Sequence, residues 1–217
     1  MRLALLAVAV AGALAGCATP APHYYSLQVP GVPETAAAPM VDSGYAISVQ
    51  PVLVPEQVAR PQIVVGTASG TEVVPLNAAL WAGPLEAQIR GALANALAQR
   101  LNVLEVGLSK AAEALPVWRI YVDVQRFDSL YGEAVRQDVV WRLVPQGMPA
   151  GVGERLCSAQ LRFPVGAGMS ALVEGHSKAL VALADVIAQS LPGPAGAGAS
   201  PAAEPAGEGV AFRGCVG

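Results

Sequence analysis

The chain has 217 residues, of which 53% are hydrophobic and only 13% charged, which excludes an intrinsically disordered protein and allows a substantial core in one domain. Thirteen basic residues against 16 acidic residues give a formal charge of −3, and the basic residues do not cluster, so the sequence lacks the electrostatic signature of a nucleic-acid-binding protein. We therefore expect a folded protein whose partners are not nucleic acids.

The first residues have the features of a secretion signal. A short positive start, Met1-Arg2, precedes an apolar run at residues 3–14, which is too short for a spanning helix of about 20 apolar residues. The quartet Leu14-Ala15-Gly16-Cys17 follows and resembles the bacterial lipobox, in which the Cys becomes the acylated amino terminus. We therefore predict a lipoprotein signal peptide at residues 1–16 and lipidation of Cys17. An ordinary secretory signal that happens to contain a Cys is the alternative.

The residues after the lipobox indicate where the protein is held. Stable anchoring requires more than one acyl chain, which a diacylated and N-acylated Cys17 provides. Residues 17–22 contain Pro and form a short lipid tether. Position 18 is Ala and not the Asp that retains similar lipoproteins in the inner membrane. We expect the protein at the periplasmic face of the outer membrane.

Four short strands and a helix are predicted in the first part of the mature chain. Each strand segment is β-branched or alternating and is bounded by Pro or Gly. The strands cover residues 23–29, 46–54, 62–65 and 72–75. Residues 81–100 repeat an apolar residue at every fourth position, which predicts an amphipathic helix. Pro84 falls in its first turn, and Asn77 is a candidate cap upstream.

Further strands and a closing helix are predicted in the second part. The strands cover residues 102–106, 117–127, 135–144 and 158–163. A hairpin turn is expected at residues 128–132. Residues 170–190 carry an apolar stripe typical of a helix, with Ser170 as the candidate N-cap. This element order predicts an α/β fold, with a mixed, largely antiparallel sheet and two main helices in a layered sandwich rather than a barrel.

Two cysteines remain after the lipidated one. Cys157 and Cys215 form an even pair in an oxidising compartment, which predicts a disulfide that pins the end of the chain. Residues 192–217 are otherwise rich in Pro, Gly and Ala, which is typical of a flexible tail. His23 and His176 do not complete a zinc-ligand spacing with the cysteines, so no metal site is predicted.

The sequence contains no motif of a common enzyme class. The patterns Gly-x-Ser-x-Gly, Gly-x-x-x-x-Gly-Lys, His-Glu-x-x-His and Cys-x-x-Cys are absent. Glu174 and His176 are two positions apart on the last helix and point in different directions, which favours a polar helix surface. Asp123 and Asp138 could face each other across the hairpin, but acidic residues on a solvated sheet face are common. We predict no catalytic residue and no cofactor.

Three segments carry a family resemblance. They are Tyr24-Tyr25-Ser26-Leu27, residues 51–64, and Leu80-Trp81-Ala82-Gly83-Pro84-Leu85. In order and spacing they resemble the PqiC/YmbA-like family of ABC-type transport auxiliary lipoproteins, from about Cys17 to Leu191. The resemblance implies a PqiC/YmbA-like periplasmic domain at residues 23–191. The residues that match the family motifs are Arg60, Pro61, Gln62, Ile63, Trp81, Pro84 and Leu85.

Two motif positions depart from the family pattern. Ala59 stands where the family has an acidic residue, and Gly83 stands where it has Glu. Any role of those two carboxylates in the family is therefore not transferable to this chain.

The resemblance implies a non-enzymatic auxiliary or docking component of an MCE/ABC-type intermembrane lipid transport system that supports envelope integrity. Its implied partner is an MCE-domain transport protein; phospholipid binding and homo-oligomer formation are left open. The alternatives are a structural or assembly-factor lipoprotein without a transport role, and a periplasmic hydrolase. Taken alone, Trp81 is either a core anchor or a partner hot spot, and Arg60-Pro61-Gln62 is either a turn or an exposed docking corner.

Overall fold

A computed structural model describes residues 21–28, 44–67, 70–107, 115–191 and 209–217. The expected signal peptide, Cys17 and residues 192–208 of the expected tail lie outside the described residues. Within them, the chain forms eight strands and two helices. The strands are β1 (His23–Tyr25), β2 (Ala46–Val49), β3 (Gln62–Gly66), β4 (Val73–Trp81), β5 (Val117–Leu130), β6 (Ala134–Gln146), β7 (Arg155–Pro164) and β8 (Val210–Val216), and the helices are α1 (Leu85–Leu101) and α2 (Met169–Ser190).

The strands form one open, mixed sheet. Its order is β1-β4-β3-β5-β6-β7-β8, and β2 pairs with the same edge of β5 that β3 uses. Parallel pairing joins β1 to β4 and joins both β2 and β3 to β5, whereas the other neighbouring strands are antiparallel. This architecture confirms the predicted α/β fold with a mixed, largely antiparallel sheet and two helices.

One face of the sheet carries the core. Ile120, Val122 and Val124 of β5 are buried, while Arg119 and Asp123 on the opposite face are exposed, as the two-residue period of a strand requires. Helix α2 contacts β6, β7 and β8, helix α1 contacts β2, and the two helices pack against each other. The helices therefore cover the apolar face.

The predicted hairpin is present as β5 and β6, but a bulge changes which residues face the core. The pairing shifts by one residue between Val124 and Arg126. Simple alternation predicts that Arg126 shares the buried side of β5, whereas the bulge leaves Arg126 exposed and turns Phe127 inward. The turn lies at residues 131–133, slightly later than expected, and Gly132 supplies its positive φ of 69°.

The first helix begins later than predicted. Trp81 is the last residue of β4, and α1 begins at Leu85. Pro84 is the N-cap, with extended backbone, and the predicted cap Asn77 lies within β4. This strand is longer than the predicted strand at residues 72–75 because it pairs with β3 on one side and with β1 on the other. A local sequence pattern does not reveal that second partner.

The second helix is present, but Ser170 does not cap it. The N-cap is Gly168, whose φ of 107° favours glycine, and Ser170 lies in the first turn of α2. No helix within the described ranges is both long and apolar enough to cross a membrane.

The prediction of a strand at residues 102–106 is wrong, because the structure forms no strand there. Asn102 ends α1 in the left-handed conformation, with a φ of 52°, which its short polar side chain tolerates. Of the following residues, Glu105 makes an isolated parallel bridge with Ile47 of β2. The segment therefore returns the chain along the sheet without forming a full strand.

The end of the chain returns to the sheet as β8. This strand pairs antiparallel with β7, and Cys215 lies directly opposite Cys157. Their Cα atoms are 4.0 Å apart, and the structure joins the two residues by a disulfide. Val210 of this strand is buried, and Phe212 stacks on Trp141 with ring centroids 6.0 Å apart. Residues 210–216 are thus a strand, although composition places them in a flexible tail.

Candidate docking site

The three segments that carry the family resemblance meet at one end of the sheet. Tyr25 of β1 pairs with Trp81 of β4, and Gln62 of β3 pairs with Leu80 of the same strand. The backbone N–H of Trp81 donates to the carbonyl oxygen of Pro61 at 2.7 Å, which fixes the two longer motifs to each other. We call this arrangement the motif corner, formed by residues 24–27, 59–63 and 81–86.

Gln88 of α1 ties the motif corner together. Its side-chain Oε1 accepts a hydrogen bond from the backbone N–H of Leu27 at 2.9 Å, and its Nε2 donates to the carbonyl oxygen of Gly83 at 2.8 Å. One amide side chain therefore joins the segment after β1, the turn before α1 and the helix itself. The motifs do not include Gln88, and its only signal in the sequence is a polar residue in the first turns of an amphipathic helix.

Part of the motif corner belongs to the hydrophobic core. Trp81, Leu85 and Ile63 are 4%, 1% and 0% exposed. The Trp81 ring lies edge-on to Phe127, with centroids 6.3 Å apart and planes at 70°, a favourable arrangement for aromatic pairs. Of the two interpretations of Trp81, the core anchor agrees with this burial.

Three of the remaining motif residues form an exposed rim around a surface cavity. They are Arg60, Pro61 and Pro84, whereas Gln62 is half-buried and does not line the cavity. The cavity has a volume of about 410 Å³, within the rough range of 300–1,000 Å³ that is usual for ligand sites. It is lined by Ala59, Arg60, Pro61, Trp81, Gly83, Pro84, Leu85 and Glu86.

The two departures from the family pattern fall in this same cavity. Ala59 and Gly83 both line it, in place of the acidic residues of the family motifs. The charged lining residues that remain are Arg60 and Glu86, one of each sign. The cavity of this chain is therefore less acidic than the family pattern implies, and its floor of Trp81 and Leu85 is apolar.

His176 is not on a polar helix surface, so that interpretation is wrong. The residue is fully buried, and its ring stacks on Phe127 with centroids 3.9 Å apart and planes at 6°. Its Nε2 lies 2.9 Å from Ser129 Oγ, and its Nδ1 lies 3.0 Å from Gln137 Nε2. Because the amide nitrogen of Gln137 is a donor, Nδ1 accepts and we assign the proton to Nε2, which donates to Ser129.

Ser129 and His176 are residue types that serve as nucleophile and base in hydrolases, but their burial does not suit that role. Ser129 is 2% exposed and His176 is 0% exposed, so a substrate has no access to either side chain. The third partner is the neutral amide of Gln137, whose Oε1 has no hydrogen-bond partner within the described part of the chain. Burial also lowers the pKa of His176 to about 3. The cluster is a buried polar element of the core.

The two aspartates considered from the sequence do not face each other. Asp123 lies opposite Val140, and the bulge that follows in β5 places Asp138 opposite Arg126. Asp138 pairs with Arg126, with Oδ2 and Nε 3.4 Å apart, on the solvated face. In the residues that the structure covers, no three His, Cys, Asp or Glu side chains lie together as a metal site.

Lowering the pH from 7.5 to 5 should destabilise the protein through His176. Its pKa is about 3 in the folded chain and about 6.5 when unfolded, so between these values only the unfolded state takes up the proton. Its contribution to stability is complete above pH 6.5 and is lost as the pH falls towards 3, by about 2 kcal/mol at pH 5. Denaturant unfolding at the two pH values measures this loss. The His176→Gln variant should lack that part of the pH dependence, and an equal loss in both proteins would contradict the assignment.

Comparison with known proteins identifies the fold and the family to which these motifs belong. Two crystal structures show the same fold. The first is of an uncharacterized protein, with a TM-score of 0.58 and 21% identity over 78% of this chain and 98% of that chain. The second is of protein XCC0632 from Xanthomonas campestris, with a TM-score of 0.55 and 18% identity over 77% of this chain and 94% of that chain. No curated protein matches the chain. A family model described as ABC-type transport auxiliary lipoprotein component matches residues 25–188, which include all three motif segments. The chain therefore belongs to the family of ABC-type transport auxiliary lipoprotein components.

Proposed function

We propose that this protein is a lipid-anchored, non-enzymatic docking component of an MCE-type lipid transport system, and that the motif corner is the surface that contacts the MCE-domain partner. The observation that carries the proposal is the meeting of two separate motifs in one surface cavity with an exposed rim. Membership of a transport auxiliary family supports a role beside a transporter.

The chemistry of the motif corner suits docking better than catalysis. Its cavity has an apolar floor and one charged residue of each sign on its lining, which fits an apolar side chain flanked by polar groups on a partner. Arg60 is exposed and, among the described residues, forms no ion pair. It is therefore free to pair with an acidic residue of the partner.

The proposed location follows from the amino terminus. The lipobox supports acylation of Cys17, and Ala18 supports sorting to the outer membrane. β1 begins six positions after Cys17, so the tether holds the domain within about 20 Å of the lipid even when fully extended. The folded domain then lies in the periplasm, next to the bilayer, where a partner that crosses the periplasm can reach the motif corner.

Replacing Arg60 and Gln62 together with Ala should weaken capture of the MCE-domain protein in a pull-down. The melting temperature should change by no more than a few degrees, because surface substitutions change stability by less than about 0.5 kcal/mol. Arg119→Ala with Gln125→Ala is the matched control, since it removes the same two side-chain types from exposed positions on β5. Full binding by the Arg60 and Gln62 variant would remove these residues from the proposed surface. A large loss of stability would instead assign them to a structural turn.

Replacing Cys17 with Ser should leave an unprocessed precursor that takes up no acyl label. The thiol is the only group in the quartet that can carry the diacylglyceryl group, so its loss removes the anchor. Metabolic labelling with a fatty acid and fractionation of the membranes measure both effects. Normal labelling and normal membrane association of this variant would contradict the proposed anchor.

A further inference from the structure

A second cavity among the described residues lies in a groove between β1 and α2, away from the cavity of the motif corner. Its volume is about 560 Å³, and its surface is mostly apolar. Its lining along α2 runs from Ser170 to Asp185, which corresponds to a length of about 22 Å at 1.5 Å per residue. The groove is thus long enough for an extended hydrocarbon chain.

The lining residues show what kind of occupant the groove accepts. Val173, Val181 and Ala182 provide apolar surface along α2, and Tyr24 and Tyr25 form the opposite wall. Val173 is mostly buried, but Val181 and Ala182 remain half-buried and Tyr24 is 65% exposed. Apolar surface of this extent next to water favours an apolar occupant.

Within the described ranges, the charged residues of the groove do not provide an unpaired cation for a phosphate group. Lys178 lines the groove, and its Nζ already pairs with Glu174 Oε1 at 2.8 Å. Asp185 also lines it and pairs with Arg100 of α1 at 2.8 Å. In the described ranges, the lining therefore presents one cation, which is matched, together with two carboxylates. This charge pattern favours an uncharged lipid over an anionic phospholipid.

The proposed lipid on Cys17 is uncharged and always within reach. A diacylglyceryl thioether and an N-acyl amide carry no charge. Tyr24 follows Cys17 by seven positions, so the tether spans at most about 24 Å and can bring the lipid to the mouth of the groove. Such a short tether gives an effective concentration in the millimolar range.

We infer that the groove between β1 and α2 holds one of the acyl chains carried by Cys17. The inference rests on the acylation that we propose above. A triacylated Cys keeps two chains in the bilayer, which is enough for stable anchoring. Moving the third chain from the bilayer into the groove exchanges one apolar environment for another, and it also covers the apolar wall of the groove, which was exposed to water. The bound chain fixes the domain with α2 beside the membrane.

The test places a photoreactive side chain in the groove of the full-length protein in its native membrane. A diazirine-bearing aliphatic amino acid replaces Val181, and irradiation is followed by purification, digestion and mass spectrometry. The matched control replaces Val74, an exposed valine at the far end of β4 that does not line the groove. We expect at least about tenfold more adduct to the acyl group of the Cys17 peptide from position 181 than from position 74, because the tether concentrates the chain at the groove.

The other outcomes overturn the inference, and they separate it from the proposed anchoring. Adducts of position 181 with free phospholipid would show that the groove takes a membrane lipid. Adducts with another protein chain would assign the groove to a protein interface, and equal acyl adducts from positions 181 and 74 would show nonspecific contact with the bilayer. If the Cys17 peptide carries its lipid but forms no adduct, the groove inference alone fails. A Cys17 peptide without lipid in the same spectra would refute the anchoring as well.

Discussion

Replacing Trp81 with Ala should reduce the free energy of unfolding by about 3–5 kcal/mol, the usual cost of deleting a large buried aromatic side chain. Trp81 is 4% exposed, and its loss leaves a void beside Phe127 that the fixed β1-β4-β3 pairing cannot close. Denaturant unfolding followed by circular dichroism measures the change. The docking that we propose should weaken in this variant as well, because Trp81 forms part of the floor of the cavity.

Two further variants test whether the loss of stability comes from the burial of Trp81 or from any substitution in this region. Trp81→Phe keeps an aromatic ring in the core and should cost clearly less than Trp81→Ala. Tyr24→Ala, in the neighbouring strand, removes a ring that is 65% exposed and should change stability by less than about 0.5 kcal/mol. If Trp81→Ala were no more costly than Tyr24→Ala, Trp81 would not be the core anchor of the motif corner.

Loss of the Cys157–Cys215 disulfide should destabilise the protein by about 4 kcal/mol in the chain-entropy model, since the two residues are 58 positions apart. The change is made by replacing both cysteines with Ala, and unfolding under non-reducing conditions measures it. The segment that detaches first should be β8, which contacts the rest of the described structure mainly through β7 and α2.

The redox state of the natural protein gives an independent check of this prediction. Protein isolated from its native cells without reductant should contain no free thiol at these positions, and limited proteolysis should spare β8. Reductant should make β8 accessible to protease in the wild type and leave the double Ala variant unchanged. Two free thiols in the unreduced protein would contradict the disulfide.

Local patterns in the sequence were sufficient for the parts of the fold that depend on local physics. The alternation of β5, the four-residue spacing of α1 and the stripe of α2 each predict the correct element, because the core lies on one face of each. The family motifs also identify the residues of the motif corner. Their meeting is a consequence of strand pairing, which no local pattern encodes.

The errors occur where a distant contact decides the structure. Trp81 was expected in a helix because its spacing from Leu85 fits one, but pairing with β1 and β3 keeps it in β4. The two-residue spacing of His176 from Glu174 favours a polar helix surface, yet Ser129 and Gln137 satisfy both ring nitrogens in the core. Those partners lie 47 and 39 positions away. The bulge that turns Ser129 inward has no local signature either.

Hydrogen–deuterium exchange of the protein with and without the MCE-domain partner tests the docking proposal most directly. The first amides of a helix have no intrahelical acceptor, so the backbone at the start of α1 should exchange quickly in the free protein. We expect a saturating concentration of the partner to slow exchange at residues 59–63 and 82–86 while the exchange of the β5 and β6 amides is unchanged. Protection confined to other surfaces, or no protection at saturation, would contradict the docking role of the motif corner.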